Sequence, residues 1–153
     1  AVGQKTGLAA PYYLARAQFF DRKGEYRKAL PDYNQYDSLT HTVDPTFFYA
    51  RYKCETKLRM WQQALLDIAR TCYLAPKEPT YFAEWASLDL RVKRIDEGIS
   101  AAKACINLAP EYADGYLLLG MLQREKGLKQ ESIENLKKAQ ELGDTRAEEY
   151  LKQ

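Results

Sequence analysis

The residues whose side chains could take part in catalysis or metal binding are one histidine and two adjacent pairs of carboxylates. His41 is the only histidine among 153 residues, so a His-rich metal site is excluded and a catalytic triad would depend on it alone. We expect it in an exposed loop. Asp96-Glu97 and Glu148-Glu149 are sequence neighbours, and neighbouring side chains on a helix point about 100° apart. They therefore do not form an acid/base pair and instead indicate solvated helix faces.

The three cysteines, Cys54, Cys72 and Cys105, lack the spacing of a zinc site or a disulfide framework. We predict that they are small, buried and hydrophobic in character. A bridge between Cys72 and Cys105 would require their Cα atoms to lie within about 7 Å. The chain has no P-loop and no GxGxxG sequence. The sequence therefore predicts no catalytic residue, no metal site and no cofactor.

The charge balance also excludes several functions. Lys and Arg number 23 and Asp and Glu 21, a net charge of +2, which argues against binding of nucleic acid or a membrane surface. Most of the twelve tyrosines are expected in the core, because base stacking needs a basic groove. No apolar run approaches the roughly 20 residues that span a bilayer, and no signal peptide is visible. We expect a soluble chain, either cytoplasmic or exported with its signal removed.

A period of 34 residues runs along most of the chain. Three series share it: Leu74, Leu108 and Leu142; the aromatics Phe48, Phe82 and Tyr116; and the small residues Ala64, Gly98 and Ser132. Self-similarity at this interval is typical of helical repeat proteins. A small residue at the crossing of two paired helices lets their backbones approach closely. The third series therefore predicts where the two helices of each repeat cross.

The first repeat is offset by one residue. Tyr13, Ala29 and Leu39 keep the same mutual spacing but lie 35 residues before their counterparts. This offset predicts one extra residue in the first inter-repeat loop, around THTVDP. A competing register aligns three prolines and moves the extra residue into the DRKGEY turn; these prolines are Pro11, Pro45 and Pro79. We prefer the first register, because it places small Ala17 and aromatic Phe20 where a packed helix pair needs them.

Each repeat is predicted to contain two helices. Phe82, Trp85 and Ala86 form an apolar stripe at helical spacing, and no segment alternates as a strand does. Glycines, prolines and threonines mark the helix ends. We expect left-handed C-terminal caps at Gly24 and Gly127, helix stops at Pro76 and Pro110, and N-terminal caps at Thr46 and Thr80.

These features together resemble the tetratricopeptide repeat, a helix–turn–helix unit of 34 residues. The resemblance covers residues 10–144: an aromatic opens each first helix, and an exit similar to Leu-x-Pro closes each unit. It implies an all-α fold, a right-handed α-solenoid of antiparallel helix pairs. We expect a single domain over residues 1–153, with repeats at about 10–44, 45–78, 79–112 and 113–146 and a capping helix at about 145–153.

The chain departs from the family pattern at several positions. Tyr52 is large where a small residue is usual, and Arg16 and Arg51 stand where leucine is common. Polar residues replace a usual aromatic in the three later repeats, at Glu55, Asp89 and Gln123. The helix boundaries of the first two repeats are therefore the hardest to place.

The resemblance also implies a ligand-binding surface, because the first helices of such a superhelix line its concave groove. The inward positions of the family correspond here to Leu14, Gln18, Tyr49, Lys53, Ala83, Glu84, Ser87, Asp114, Leu117, Leu118 and Met121. Relatives that bind an EEVD-type C-terminal tail use a carboxylate clamp of Lys, Asn and Arg. Neither frame of this chain supplies that clamp, and Glu84 would repel a carboxylate.

We therefore predict a non-catalytic protein–protein interaction module that binds a peptide or a partner protein in the concave groove. The alternative is a structural or spacer segment of a larger protein or assembly, without a ligand of its own. An exposed apolar patch at the inward positions of the last repeat would favour the first function. A polar groove with an apolar outer face would favour the second.

The packing assignment predicts the effect of enlarging a crossing residue. Replacing Ala64 with leucine is expected to overpack the crossing and lower the free energy of unfolding by about 1–3 kcal/mol. Thermal unfolding followed by circular dichroism measures this change. An unchanged melting temperature contradicts the assignment.

Overall fold

The computed structural model describes residues 2–153, with side chains from residue 9 onward, and all regular structure in that part of the chain is helical. The helices are α1 (Val2–Arg22), α2 (Tyr26–Thr40), α3 (Pro45–Lys57), α4 (Trp61–Leu74), α5 (Pro79–Arg91), α6 (Ile95–Leu108), α7 (Ala113–Lys126), α8 (Lys129–Glu141) and α9 (Arg146–Leu151). The prediction of an all-α chain is therefore confirmed.

The helices form two compact units, Ala1–Leu74 and Ala75–Gln153. In the first, α1 packs on α2 and α3 on α4; in the second, α5 packs on α6, α7 on α8, and α9 on α8. Turns of two or three residues join the members of each pair, and such short links make the paired helices antiparallel. The grouping of all four repeats into one domain, with the boundaries given above, stays a prediction.

One residue in each turn adopts the left-handed conformation. These residues are Gly24, Arg59, Lys93 and Gly127, with φ of 73°, 58°, 64° and 86°. The next N–H donates to a carbonyl five residues back, as from Met60 to Glu55 at 2.8 Å, which closes the helix end. The two predicted glycine caps are confirmed. At Arg59 and Lys93 a side chain occupies a conformation that L residues disfavour, so only the repeat period marked these turns.

The turns also locate the extra residue of the first repeat. Their left-handed residues are 35, 34 and 34 positions apart, which confirms one extra residue before the second repeat. The predicted THTVDP segment contains this residue, but as Thr40, the last residue of α2, and not as part of the link. The links 41–44, 75–78 and 109–112 all have four residues, whereas α2 has 15 residues and α4 and α6 have 14. The extra residue therefore lengthens α2. The competing proline register fails, because Pro11 lies inside α1 whereas Pro45 and Pro79 begin helices.

The predicted threonine caps are wrong. Helix α3 begins at Pro45, and the Asp44 side chain accepts the Thr46 N–H at 2.9 Å, so Asp44 is the cap. Helix α5 begins at Pro79 and has no side-chain cap. Proline suits the first helical position because its missing N–H would lack an intrahelical partner there. Both threonines consequently lie one residue inside their helices.

The small residues at the predicted crossings are buried. Ala29 and Ala64 have no exposed surface. A Cβ added at Gly98 would lie 3.1 Å from Asp89 Cβ on the paired helix α5, which is closer than most contacts between non-bonded carbon atoms. The buried Ser132 hydroxyl donates to the Gly120 carbonyl at 2.6 Å, so the small residue of the last crossing also satisfies a polar group.

The cysteines are buried and free, as predicted. Burial raises the pKa of the Cys54 and Cys72 thiols to about 12 and that of Cys105 to about 11. Because the reactive form of cysteine is the thiolate, these thiols are unreactive at neutral pH and serve as packing residues.

Candidate functional site

In the first unit, the predicted groove residues lie on α1 and α3. The Lys53 ammonium nitrogen lies 5.0 Å from the centroid of the Tyr49 ring, and Tyr49 stacks on Tyr52 with centroids 5.8 Å apart. Tyr52 is buried, Tyr49 is half-buried and Lys53 is exposed, so a buried ring supports an accessible ring and cation. On α1, Gln18 is exposed, and Leu14 is half-buried against the core of this unit.

In the second unit, burial divides the predicted groove residues. Leu117 is 4% exposed, packed with Leu136, Ala139 and Ala147, and Ala83 is 6% exposed. These two side chains are therefore not available to a ligand in this conformation. Ser87 is exposed, and the remaining members are half-buried, namely Glu84, Asp114, Leu118 and Met121.

Asp114 is held by the capping helix. Its carboxylate accepts hydrogen bonds from Arg146 and from the Tyr112 hydroxyl, the latter at 2.8 Å. Burial and this carboxylate raise the pKa of Tyr112 to about 12, so the phenol keeps its proton. Arg146 also pairs with Asp144. Asp114 therefore fixes α9 against α7 and does not present an unpaired charge to a ligand.

Two arginines that depart from the family pattern form ion pairs within helix pairs. Arg16 binds the Asp32 carboxylate through two nitrogens, at 2.7 and 2.8 Å. Arg51 binds Asp67 in the same way, at 2.7 and 3.0 Å. The partner lies sixteen residues later in both cases. In the second unit these two positions carry Trp85 with Ala101 and Leu119 with Asn135. Ion pairs in the first unit therefore replace apolar or mixed contacts.

Arg51 is the centre of a larger charged group. Its side chain is only 11% exposed, and besides Asp67 it contacts Asp37 at 2.9 Å and Glu55 at 3.8 Å. Its guanidinium also lies over the rings of Phe47 and Phe48, at 5.2 and 5.6 Å from their centroids. Carboxyl groups and two aromatic faces therefore surround Arg51 and fix it in place.

Glu55 is the acid of this cluster that keeps its own proton. It is buried, and its Oε2 atom has no hydrogen-bond partner. Burial, followed by the neighbouring Asp67 carboxylate, raises the pKa of Glu55 to about 9. The same positions in the last repeat carry two amides, where Asn135 donates to Gln123 at 2.7 Å. At these positions a protonated Glu55 beside the Asp67 carboxylate takes the place of the amide pair.

Asp89 is a comparable buried acid in the second unit. Its side chain is fully buried and neither carboxylate oxygen has a hydrogen-bond partner. The Arg94 Nε atom is 3.4 Å away. Burial raises the pKa of Asp89 to about 6, although Arg94 opposes the rise. Both buried acids occupy the helix position where the family has an aromatic, so each marks a change in the packing of its repeat.

A polar cavity of about 380 Å³ opens beside the Arg51 cluster. It is lined by Asn34, Asp37, Ser38, His41, Thr42, Arg51 and Arg70. His41 is exposed, as predicted, and ends α2 in the left-handed conformation. The lining comes from three helices and a loop, which no linear motif connects. Sequence reasoning therefore missed this cavity.

Two kinds of feature are absent from the part of the chain that the structure describes. No group of three or more His, Cys, Asp and Glu residues there is arranged to hold a metal ion. Among the same residues, no helix combines the length and the apolar character needed to cross a membrane.

Comparison with known proteins identifies the fold. Residues 113–142 match the family model of the tetratricopeptide repeat. Among solved structures, MamA (residues 41 to the end) from Desulfovibrio magneticus RS-1 is 22% identical, with 93% of this chain and 81% of that chain covered and a TM-score of 0.83. YrrB, described as a TPR protein with an unusual peptide-binding site, is 20% identical, with coverages of 94% and 74% and a TM-score of 0.86.

A thermophilic TPR protein of Thermus thermophilus is also similar, with 19% identity, coverages of 89% and 75% and a TM-score of 0.66. No curated protein sequence matches the chain. Identities near 20% establish a fold and not a ligand. The predicted helical-repeat fold, that of tetratricopeptide repeat solenoids, is confirmed.

The buried Glu55 predicts a pH dependence of stability. Its pKa is 4.5 when unperturbed and about 9 in the fold, so between these values the folded chain holds a proton that the unfolded chain releases. Stability therefore falls as pH rises through this range. Glu55→Gln removes this loss of stability. The free energy of unfolding of the variant minus that of the wild type should therefore grow from pH 5 to pH 9 by more than about 1.4 kcal/mol, the equivalent of one pKa unit.

Urea unfolding at pH 5, 7 and 9 measures this difference. The exposed Glu131→Gln serves as the matched control and should keep a constant offset from the wild type. A Glu55→Gln offset that also stays constant with pH contradicts the assignment of a neutral buried acid.

Proposed function

We propose that this chain, which has the fold of tetratricopeptide repeat proteins, is a non-catalytic module that binds a peptide or a partner protein through its first helices. Such folds are typically protein–protein interaction modules. In the first unit the accessible surface comes from α1 and α3; in the second it comes from α5 and α7. The proposal concerns each surface by itself.

The observation that carries the proposal is the arrangement of Tyr49 and Lys53 on α3. The buried Tyr52 ring supports the half-buried Tyr49, and Lys53 places a cation over the Tyr49 ring. Tyrosine is one of the residues that most often dominate the binding energy of protein interfaces. Neither residue belongs to the buried core of its unit, so packing alone does not account for them.

The chemistry of the ligand follows from these surfaces. An extended peptide or an amphipathic helix suits either surface taken alone: Tyr49 and Lys53 on α3 in the first unit, or half-buried Leu118 and Met121 on α7 in the second. The similarity to YrrB, described as having an unusual peptide-binding site, supports a peptide ligand. We do not expect an EEVD-type carboxylate clamp, because Gln18 and Glu84 stand where the clamp needs Asn or Lys. A net charge of +2 also disfavours nucleic acid.

The alternative is a structural segment that packs on another part of a larger assembly. Tyr12 and Phe19 on α1 favour it, because they are 58% and 47% exposed and lie seven residues apart on one face of the helix. Large apolar side chains grouped on a surface commonly mark a contact with another protein. In this function α1 supplies the contact and the groove residues bind nothing.

Affinity capture from native lysate tests the groove. The double variant Tyr49→Ala/Lys53→Glu is expected to reduce recovery of the captured partner by about tenfold or more, since losing an interface hot spot costs about 2 kcal/mol or more in binding. The matched control Lys103→Glu makes the same charge change on the exposed face of α6 and should leave recovery unchanged. Equal recovery with all three proteins overturns the groove proposal.

The alternative makes the opposite prediction in the same assay. Tyr12→Ser/Phe19→Ser should abolish association with the assembly, whereas Tyr49→Ala/Lys53→Glu should have no effect. Tyr12, Phe19 and Lys53 are exposed, whereas Tyr49 is half-buried and stacks on Tyr52. A melting curve of each variant therefore establishes that it is folded before its association is measured. Association that survives Tyr12→Ser/Phe19→Ser excludes the structural function through α1.

A further inference from the structure

The outward face of α4 carries an apolar surface that the proposed function does not use. Leu66 and Tyr73 are 72% and 83% exposed, and Arg70, also exposed, lies between them. Residues at i, i+4 and i+7 share one face of a helix. We name Leu66, Arg70 and Tyr73 the outer stripe. It belongs to a second helix of a pair, so it is separate from Tyr49 and Lys53 on α3.

Arg70 is held in position by an aromatic ring. Its guanidinium carbon lies 4.9 Å from the centroid of the Phe48 ring, and Phe48 is 1% exposed and therefore rigid. Stacking on a ring leaves the in-plane N–H donors of a guanidinium available for a planar acceptor. Among residues 9–153 no carboxylate lies within ion-pair distance of Arg70. The other arginine at this cavity, Arg51, already binds Asp67 and Asp37.

The charges around Arg70 favour an anionic group. The adjacent cavity has two arginines and one aspartate, and its remaining lining includes hydrogen-bond donors of Asn34, Ser38 and Thr42. The single acidic residue of α4, Asp67, is buried and paired, so the outer face of this helix has no acid. The carbonyl end of α2 at His41 opposes an anion, which places the anion on the Arg70 side of the cavity.

We propose that the outer stripe and this cavity form a second docking site, whose occupant is an acidic amphipathic helix of a partner protein. A carboxylate of that helix binds Arg70, and two apolar side chains cover Leu66 and Tyr73. Those two residues are seven positions apart, about 10.5 Å along α4 at 1.5 Å per residue. A partner helix matches this separation with an apolar residue, an acid one turn later and a second apolar residue one turn beyond.

The probe for this site is a library of random 16-residue peptides displayed on phage and selected on the intact chain. The selected peptides should be enriched in the pattern apolar, acid, apolar at helical spacing. One of them, labelled with fluorescein, is then titrated by fluorescence anisotropy. Arg70→Glu should weaken its binding by about tenfold or more. Arg70→Lys, which keeps the charge but loses the planar fork, should weaken it less.

Two controls separate this site from the groove. Lys103→Glu, with the same charge loss on α6, and Lys53→Glu, on α3, should both leave the affinity for the peptide unchanged. Leu66→Ser/Tyr73→Ser should weaken it as Arg70→Glu does. These side chains are exposed, and far-ultraviolet circular dichroism with a melting curve establishes that each variant is folded.

Several outcomes overturn the proposal. Selected peptides that lack the acidic pattern contradict the proposed site. A peptide whose affinity falls with Lys53→Glu but not with Arg70→Glu contradicts it as well. Inorganic phosphate that displaces the peptide at lower concentration than glutarate assigns the cavity to phosphate groups and not to carboxylates. A dimer in light scattering that Leu66→Ser/Tyr73→Ser converts to a monomer makes a second copy of the chain the occupant.

Discussion

The close approach of the two helices in each pair is the constraint on which the rest of this fold depends. A Cβ at Gly98 on α6 would lie 3.1 Å from Asp89 Cβ on α5, and one at Gly120 on α7 would lie 2.7 Å from Leu136 on α8, so these crossings have little room for another atom. Close-packed interiors do not absorb such an addition without moving a backbone. Every repeat must therefore present a small residue at the crossing. Small residues recur with a period of 34 because each repeat contains one such crossing.

In the first unit, charged residues take over part of this packing. The ion pair between Arg51 and Asp67 removes two charges from water, and a buried pair of this kind adds little net stability compared with an apolar contact. Its effect is on geometry, because a two-nitrogen contact fixes both the distance and the rotation of α3 on α4. The adjacent Glu55 also contacts Asp67 and is held in its neutral form. The unit therefore has a fixed helix pair, and its free energy of unfolding falls at high pH.

The fold could be predicted from the sequence because small residues, aromatics and leucines recur at one interval. The partners of the charged residues could not. Arg16 and Arg51 stood out as departures, but their aspartates lie sixteen residues away across a turn, and only the turn geometry brings them together. The constant offset of sixteen was a usable signal. The burial of Leu117 could not be predicted for a related reason, because the family position specifies a helix face but not the α8 and α9 side chains that cover it here. The cavity at Arg70 required three helices to be placed at once.

Competition for carboxylates decides which cations remain accessible in the first unit. Asp37 and Asp67 both bind Arg51, and Asp32 binds Arg16. These acids of α2 and α4 are therefore already paired with arginines inside the first unit. Arg70 borders the same cavity but rests on the face of Phe48. Because the internal ion pairs occupy the nearby carboxylates, Arg70 has no acidic partner among residues 9–153 and lies beside the exposed Leu66 and Tyr73. The interactions that stabilise the fold therefore also determine where a partner's carboxylate would bind under our proposal.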